Sequence, residues 1–209
     1  MAEPSEQLEN FLDSNPDIEV FEVILPDLAG GLRGKWVTRD KIRKVMEGGL
    51  KLPISSVAFD VWGRDAEEWV FDSGDGDGMC EADIRTLVPV PWAKRPTGQV
   101  MISLRELSGE PCVIDPRVIL RQQLERFAEY GLTPVVASEM EFYLFRDEHD
   151  TLGRPVHTQS DRIGGALATG QTYCIDTMAD MSELMHDIRD ACTAQHLPID
   201  TLIKEGAPS

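Results

Sequence analysis

The stretch IEVFEVILPDLAGGLRGKWVT, residues 18–38, carries the pattern that decides the fold of the first part of the chain. Phe21, Val23 and Leu25 alternate along it, and alternate residues of a β-strand lie on one face of that strand. A segment with three glycines and one aspartate follows and predicts a turn, after which residues 35–37 predict a returning strand. Two strands joined by an irregular turn predict a β-hairpin.

Helices and further strands flank this hairpin. A short amphipathic helix is predicted over residues 5–13, and Thr38 can cap a second helix that runs to Glu47. Strands are predicted over residues 54–59 and 100–104. A hairpin, a helix and strands in this order over about 90 residues are typical of an α+β unit whose helix packs across a mixed sheet.

A short polar turn at residues 108–111, SGEP, predicts a domain boundary, with domains over residues 1–108 and 109–209. Asp115 is a predicted helix N-cap followed by a proline, and Gly131 is the expected stop of that helix. The helix carries an apolar stripe that we expect to face a core: Leu120, Leu124 and Phe127.

The remaining pattern predicts two strands, a loop and a helix. The strands are expected over residues 135–145 and 199–203, and the long segment 146–170 predicts a loop of functional or interface use. Asp180 with Glu183 resembles a capping box and predicts the start of the last helix.

Charge restricts the classes of partner. The net charge is −17, and residues 60–83 hold nine acids against one base. A strongly acidic chain repels phosphates, so we expect neither nucleic acid nor an anionic membrane as a partner. The glycine- and aspartate-rich run at 72–78 fails the calcium-loop template, because Ile84 stands where the bidentate glutamate belongs. A mobile, solvated acidic loop is the prediction for this segment.

The cysteines and the N-terminus bear on the cellular compartment. The four cysteines, Cys80, Cys112, Cys174 and Cys192, form no C-x-x-C pair, which argues against a zinc ribbon or a redox dithiol. Their spacing fits buried or half-buried thiols in a reduced cytosol. No membrane span or leader pattern is present, so a cytoplasmic location is expected.

Glu139 and Glu141 are the most informative pair of acids. Side chains two apart on a strand share one face, with Cα atoms about 6.5–7 Å apart, so two carboxylates there repel each other unless a cation lies between them. Mg²⁺ or Mn²⁺ would satisfy both. The alternative is a solvent-exposed strand face with no ligand. Glu205, just after the predicted strand 199–203, adds a third candidate carboxylate, with a solvated loop acid as its alternative.

Several segments occur in an order that resembles the glutamine synthetase family, and within it the γ-glutamylpolyamine synthetase-like branch. They are DLAGGLRGK (27–35), FD (59–60), IDPR (114–117), SEMEFYLF (138–145), GQTY (170–173) and KEG (204–206). The resemblance covers essentially the whole chain. It implies an N-terminal β-grasp domain followed by the beginning of a truncated α+β catalytic domain.

The resemblance also implies a reaction and a set of site residues. Family members use ATP to phosphorylate the γ-carboxylate of glutamate, and ammonia or an amine then displaces the phosphate. By this resemblance Glu139, Glu141 and Glu205 are metal ligands for Mg²⁺ or Mn²⁺. Asp60 attends the ammonium or amine in a neighbouring subunit's site, and Tyr173 lines the same pocket.

Two departures from the family pattern shape the expected function. Val61-Trp62-Gly63 follow Asp60 where ammonia-using members have small Gly and Ser residues, which favours a larger amine or polyamine as the nucleophile. Members are roughly twice as long as this chain, so we expect an N-terminal fragment that is inactive alone, from a parent that forms a homo-oligomer, a dodecamer. The alternative is a non-catalytic β-grasp module used for assembly or regulation.

Overall fold

The computed structural model describes residues 3–66, 74–160, 165–166 and 172–206. It divides into two compact units, Met1–Val135 and Val136–Ser209. Residues 109–135 pack with the first unit, and the domain boundary at residues 108–111 stays a prediction. No helix in the described ranges is long and apolar enough to cross a membrane.

A mixed sheet of six strands forms the centre of the described part of the first unit. Its order is β2-β1-β6-β4-β3, with β5 paired to β6 beside this path. β1 and β2 form the predicted antiparallel hairpin, whereas β1 and β6 run parallel. The strands are β1 Val20–Pro26, β2 Leu32–Thr38, β3 Lys51–Pro53, β4 Asp77–Ala82, β5 Val88–Pro89 and β6 Thr97–Arg105.

Helices cover this sheet and close the core. They are α1 Pro4–Ser14, α2 Arg39–Met46 and α3 Pro116–Glu129, with short 3-10 helices at Ile54–Val57 and Ile84–Thr86. The predicted face of β1 is confirmed, because Phe21, Val23 and Leu25 are fully buried. They belong to one apolar cluster with residues of β6, α1 and α2. The first two helices are confirmed, although the Thr38 hydroxyl donates to the Asp40 carboxylate and does not cap α2.

Asp115 fastens α3 to the sheet. Its carboxylate is fully buried and accepts hydrogen bonds from the backbone N–H groups of Arg117 at 2.7 Å and Val118 at 3.4 Å, so the predicted N-cap is confirmed. The second oxygen accepts from the backbone N–H of Leu104 in β6, at 2.7 Å. One side chain therefore caps a helix and completes the hydrogen bonding of the central strand.

The prediction that the apolar stripe of α3 faces a core is wrong. Leu120, Leu124 and Phe127 are exposed, and Val118 is the buried residue of this helix. The helix is held to the sheet by polar contacts near its start: Asp115 binds β6, Arg117 forms an ion pair with Asp83 at 2.9 Å, and Arg121 lies 3.7 Å from Glu81 of β4. Its end is as predicted, with Gly131 at φ +67°.

Two predictions in the middle of the chain are also wrong, the second of them in part. The strand expected at 54–59 begins instead with a 3-10 helix, in which the Ala58 N–H donates to the Ser55 carbonyl at 2.8 Å. Of the solvated loop expected at 72–78, residues 72–73 lie outside the described residues, residues 74–76 are irregular and exposed as predicted, and residues 77–78 belong to strand β4. Gly78 and Cys80 point inward, and Glu81 points outward to an ion pair with Arg105 at 3.0 Å. Burial alternates along this strand, but the buried positions hold a glycine and a cysteine while Met79 is exposed, so the sequence shows no apolar alternation.

The second unit contains short strands and two helices. β7 Phe145–His149 pairs antiparallel with β8 Pro155–His157, and β9 Gln159–Ser160 pairs with β10 Gly165–Ala166. The segment expected to be one loop at 146–170 therefore includes a hairpin. The helices are α4 Ile175–Asp180 and α5 Ser182–Ala194. The capping box at Asp180 is wrong, because Asp180 ends α4 and α5 begins without a capping side chain.

The strands predicted at 135–145 and 199–203 are wrong. Residues 132–144 and 197–205 carry no regular secondary structure, and Val135 and Met140 are 94% and 85% exposed. A strand is stable only where a neighbour pairs with its backbone groups. No strand of the described residues pairs with either segment, so the apolar pattern alone does not produce a ladder.

We expect Asp115→Ala to destabilise the first unit by about 2–4 kcal/mol, because it removes a helix cap and leaves the buried Leu104 N–H without an acceptor. Urea unfolding followed by circular dichroism measures this loss. Glu125→Ala, on the exposed side of the same helix, is the control and should change stability by less than about 0.5 kcal/mol. Equal effects of the two substitutions would contradict this role of Asp115.

Candidate functional site

Asp60 heads a tight loop in the first unit. The loop is closed at its base by pairing between Phe59 and Asp65. The Asp60 Oδ1 atom accepts the backbone N–H groups of Trp62 at 2.8 Å and Arg64 at 2.9 Å. The Asp60 N–H in turn donates to the Arg64 carbonyl at 2.9 Å. The carboxylate thus has a fixed orientation, because it organises the backbone of its own loop.

The outer side of this loop presents a carboxylate next to apolar and aromatic surface. Asp60 is exposed, and the side chains of Val61 and Trp62 are each 79% exposed. Among the described residues the Oδ2 atom of Asp60 accepts no hydrogen bond, whereas Oδ1 accepts two. An exposed carboxylate with an exposed tryptophan two residues further along the chain suits an organic cation, since the carboxylate attracts the charge and an indole ring also attracts a cation.

A second group of predicted residues comes together in the second unit. The Tyr173 N–H donates to the Lys204 carbonyl at 2.8 Å, so the segments at 172–174 and 204–206 lie side by side. Tyr173 has φ +61° and a ring that is 66% exposed. A positive φ is rare for a bulky residue, so the surrounding contacts hold Tyr173 in a strained conformation. Tyr173 and Glu205 therefore lie on neighbouring segments.

Glu139 and Glu141 lie in the irregular segment 132–144, and both are exposed. The strand that was expected to align their side chains is not formed. Within the described ranges no three His, Cys, Asp or Glu side chains converge to hold a metal ion. The residues as arranged do not fit a metal centre, and the assignment of Glu139, Glu141 and Glu205 as ligands stays a prediction.

The cysteines are as predicted. All four are free thiols, with Cys80 and Cys112 buried and the other two half-buried. Burial raises the pKa of Cys80 to about 12 and also raises the pKa of Cys112. A hydrogen bond from the Thr177 side chain lowers the pKa of Cys174, which directly follows Tyr173.

An ion pair between a buried carboxylate and a half-buried arginine was not predicted from the sequence, which indicated only a turn at residues 26–34. Asp27 directly follows β1, and its buried carboxylate lies 2.8 Å from Nε of Arg33. The Arg33 guanidinium lies over the Phe59 ring, with Cζ 4.4 Å from the ring centroid. The sequence signal that could have predicted this ion pair is an aspartate and an arginine six residues apart on either side of a glycine-rich turn.

Comparison with known proteins shows what the chain is similar to. Residues 113–209 match the sequence model described as "Glutamine synthetase, catalytic domain". The chain is 29% identical to gamma-glutamylputrescine synthetase PuuA of Escherichia coli (strain K12), over 98% of this chain and 43% of that enzyme. Over residues 113–209 the chain is similar to the glutamine synthetase family. It is also 35% identical to gamma-glutamylethanolamide synthetase GlnA4 of Streptomyces coelicolor (strain ATCC BAA-471 / A3(2) / M145), over 64% of this chain and 30% of that enzyme.

Solved structures agree on the fold. A structure titled "GmaS/ADP complex-Conformation 1" matches 96% of this chain and 42% of its own, with a TM-score of 0.67 and 18% identity. A "novel glutamine synthase homolog" matches 91% of this chain with a TM-score of 0.65 and 14% identity. The predicted mixed α and β fold is therefore confirmed, and the sequence matches above agree with the predicted resemblance. The chain spans less than half the length of these relatives.

The thiols divide into two classes that chemical modification can separate. With a disulfide reagent at pH 8, we expect Cys174 and Cys192 to react in the folded chain, and Cys80 and Cys112 only after unfolding. Cys174 should react first, because a lowered pKa gives more thiolate. Absorbance of the released thiolate counts the reacted groups.

Cys174→Ser and Cys192→Ser together are the control and should leave no rapidly reacting thiol in the folded chain. Rapid reaction of Cys80 in the folded chain would contradict the buried position of this thiol.

Proposed function

We propose that this chain carries the first part of an ATP-dependent ligase that joins the γ-carboxylate of glutamate to an amine through a γ-glutamyl phosphate. The observation that carries the proposal is the exposed Asp60 carboxylate with the exposed Trp62 two residues further along, in a chain similar to this family. The printed names of the relatives, which include a putrescine and an ethanolamide synthetase, support an amine larger than ammonia.

The topology supports a β-grasp assignment for the first domain. A hairpin, a crossing helix, and a parallel pairing of the first and last strands in the middle of the sheet make up the β-grasp arrangement. We propose that residues 1–108 form this domain and that residues 109–209 begin the catalytic domain. The match of residues 113–209 to the catalytic-domain model supports the second part.

The chemistry proposed for Asp60 follows from its geometry. Its Oδ1 atom is held by two backbone N–H groups, and the residue is exposed to solvent two positions before the exposed Trp62. An ionised carboxylate there attracts an ammonium group and can accept a proton from it as the amine becomes a nucleophile. The Trp62 ring would contact the organic part of the amine. Tyr173 is proposed as a further residue of the nucleophile pocket.

The cofactors of the proposed reaction are ATP and Mg²⁺ or Mn²⁺. Divalent ions supply neutralisation of phosphate oxygens in such reactions. We propose Glu139, Glu141 and Glu205 as their ligands in the working enzyme, although the described residues alone do not assemble a metal site. A homo-oligomer, a dodecamer, is proposed for that enzyme, with Asp60 serving a neighbouring subunit's site.

The protein expressed from its complete reading frame should release ADP only when glutamate and an amine are both present. We expect an organic amine to be used better than ammonium. Asp60→Ala should lower kcat/KM for the amine by about 100-fold or more, because the attracting and proton-accepting group is lost. A coupled ADP assay measures both effects.

Asp65→Ala is the matched control, since Asp65 is an exposed acid in the same loop and pairs with Phe59 through its backbone. ATP turnover without glutamate would refute the ligase. No turnover under any condition, with β-grasp assembly intact, would favour the non-catalytic module.

Glu139→Ala with Glu141→Ala should weaken Mn²⁺ binding by at least about tenfold in the same protein, since metal sites lose affinity sharply when their ligands or supporting groups are removed. Isothermal calorimetry measures the affinity directly. Glu125→Ala with Glu129→Ala removes the same charge from α3 and should leave binding unchanged. An unchanged affinity in the first pair would refute the ligand assignment.

A further inference from the structure

The Asp27 carboxylate organises the loop between β1 and β2. Its side chain is fully buried, and Oδ1 accepts the backbone N–H groups of Ala29 at 2.9 Å and Gly31 at 2.7 Å. A side chain at position 31 would not fit, because a Cβ there would lie 2.8 Å from Asp27 Oδ2. The loop is therefore closed around the carboxylate.

Arg33 connects this loop to the segment that precedes Asp60. The Arg33 Nε atom donates to Asp27 Oδ2 at 2.8 Å, which fixes one edge of the guanidinium. The plane of the guanidinium then lies over the Phe59 ring, with Cζ 4.4 Å from the centroid. A planar, delocalised cation can make both contacts at once, whereas the compact ammonium of a lysine cannot.

A backbone contact joins the same two segments. The Leu28 N–H donates to the Val57 carbonyl at 3.0 Å, two residues before Phe59. Phe59 also closes the base of the Asp60 loop through its pairing with Asp65. The base of that loop is therefore attached to the β1–β2 hairpin by one backbone hydrogen bond and one ring contact.

We propose that Asp27, Arg33 and Phe59 are positioning residues that hold the Asp60 carboxylate in place for the amine. This inference rests on the proposed function in one respect, that Asp60 is the residue that meets the amine. Phe59, whose ring lies under the Arg33 guanidinium, directly precedes Asp60 in the chain. A shift of Phe59 therefore moves the Asp60 carboxylate and the Trp62 side chain with it.

The ion pair persists over a wide pH range. Burial opposes the ionisation of Asp27, but the hydrogen bonds from Arg33, Gly31 and Ala29 outweigh it and hold the pKa of Asp27 below its ordinary value. A lowered pKa in the folded chain means that the stabilisation is present above the unfolded pKa of about 3.9 and is lost only as the pH falls through the folded value. The positioning is therefore complete at neutral pH.

Nuclear magnetic resonance of the 209-residue chain tests the positioning without any activity. In Arg33→Lys and in Phe59→Leu, we expect the backbone order parameters of Trp62 and Arg64 to fall from about 0.85 to below about 0.6. Phe59→Tyr keeps the ring and should behave as the unmodified chain. The amides of Ile102 and Leu104 in β6 report whether the fold is intact and should not change. Unchanged order at Trp62 and Arg64 in both variants would overturn the proposal.

Kinetics of the protein from its complete reading frame test the consequence for the amine. Arg33→Lys and Phe59→Leu should each raise KM for the amine about tenfold, while KM for ATP stays within about twofold. Phe59→Tyr, which keeps an aromatic ring, should leave KM for the amine unchanged. Equal losses for all substrates would indicate a purely structural role and overturn the inference. If the unmodified protein shows no amine-dependent turnover, the proposed function fails, and the resonance experiment still decides the positioning claim.

Discussion

The parallel pairing of β1 with β6 is the constraint on which the rest of the first unit depends. Two parallel neighbours cannot be joined by a tight turn, so the chain between them must be long and must return to the starting end of the sheet before β6 begins. That long connection contains the hairpin return, helix α2 and the Asp60 loop. Asp27 directly follows the end of β1, so the sheet also sets the position of the carboxylate that organises the first loop.

Two buried carboxylates each connect separate segments of the first unit through hydrogen bonds. Asp115 joins the cap of α3 to the backbone of β6, and Asp27 joins the β1–β2 loop to Arg33. Each is buried and satisfied by several donors, which is the condition under which a buried charge is tolerated. Exposed ion pairs such as Glu9 with Arg43 add little by comparison, because solvent screens them.

Some of the many acidic residues form ion pairs that connect elements of the fold. Glu81 and Asp83 lie at the end of β4 and pair with arginines of β6 and α3 and with Arg85. These acids connect the central sheet to the helix at which the match to the catalytic-domain model begins. Asp60, in contrast, pairs with no arginine among the described residues, and one of its oxygens accepts the backbone N–H groups of its own exposed loop.

Residues 18–38 determined the hairpin because the alternation of Phe21, Val23 and Leu25 and the glycine-rich turn are local signals. The cap at Asp115 and the motifs that carry the family resemblance are local in the same sense. The tertiary structure alone decided that 77–82 is a strand, that 135–145 is not one, and that Arg33 lies on Phe59. The physical reason is that a ladder or a ring contact needs a partner distant in the chain, and no pattern within one segment specifies that partner.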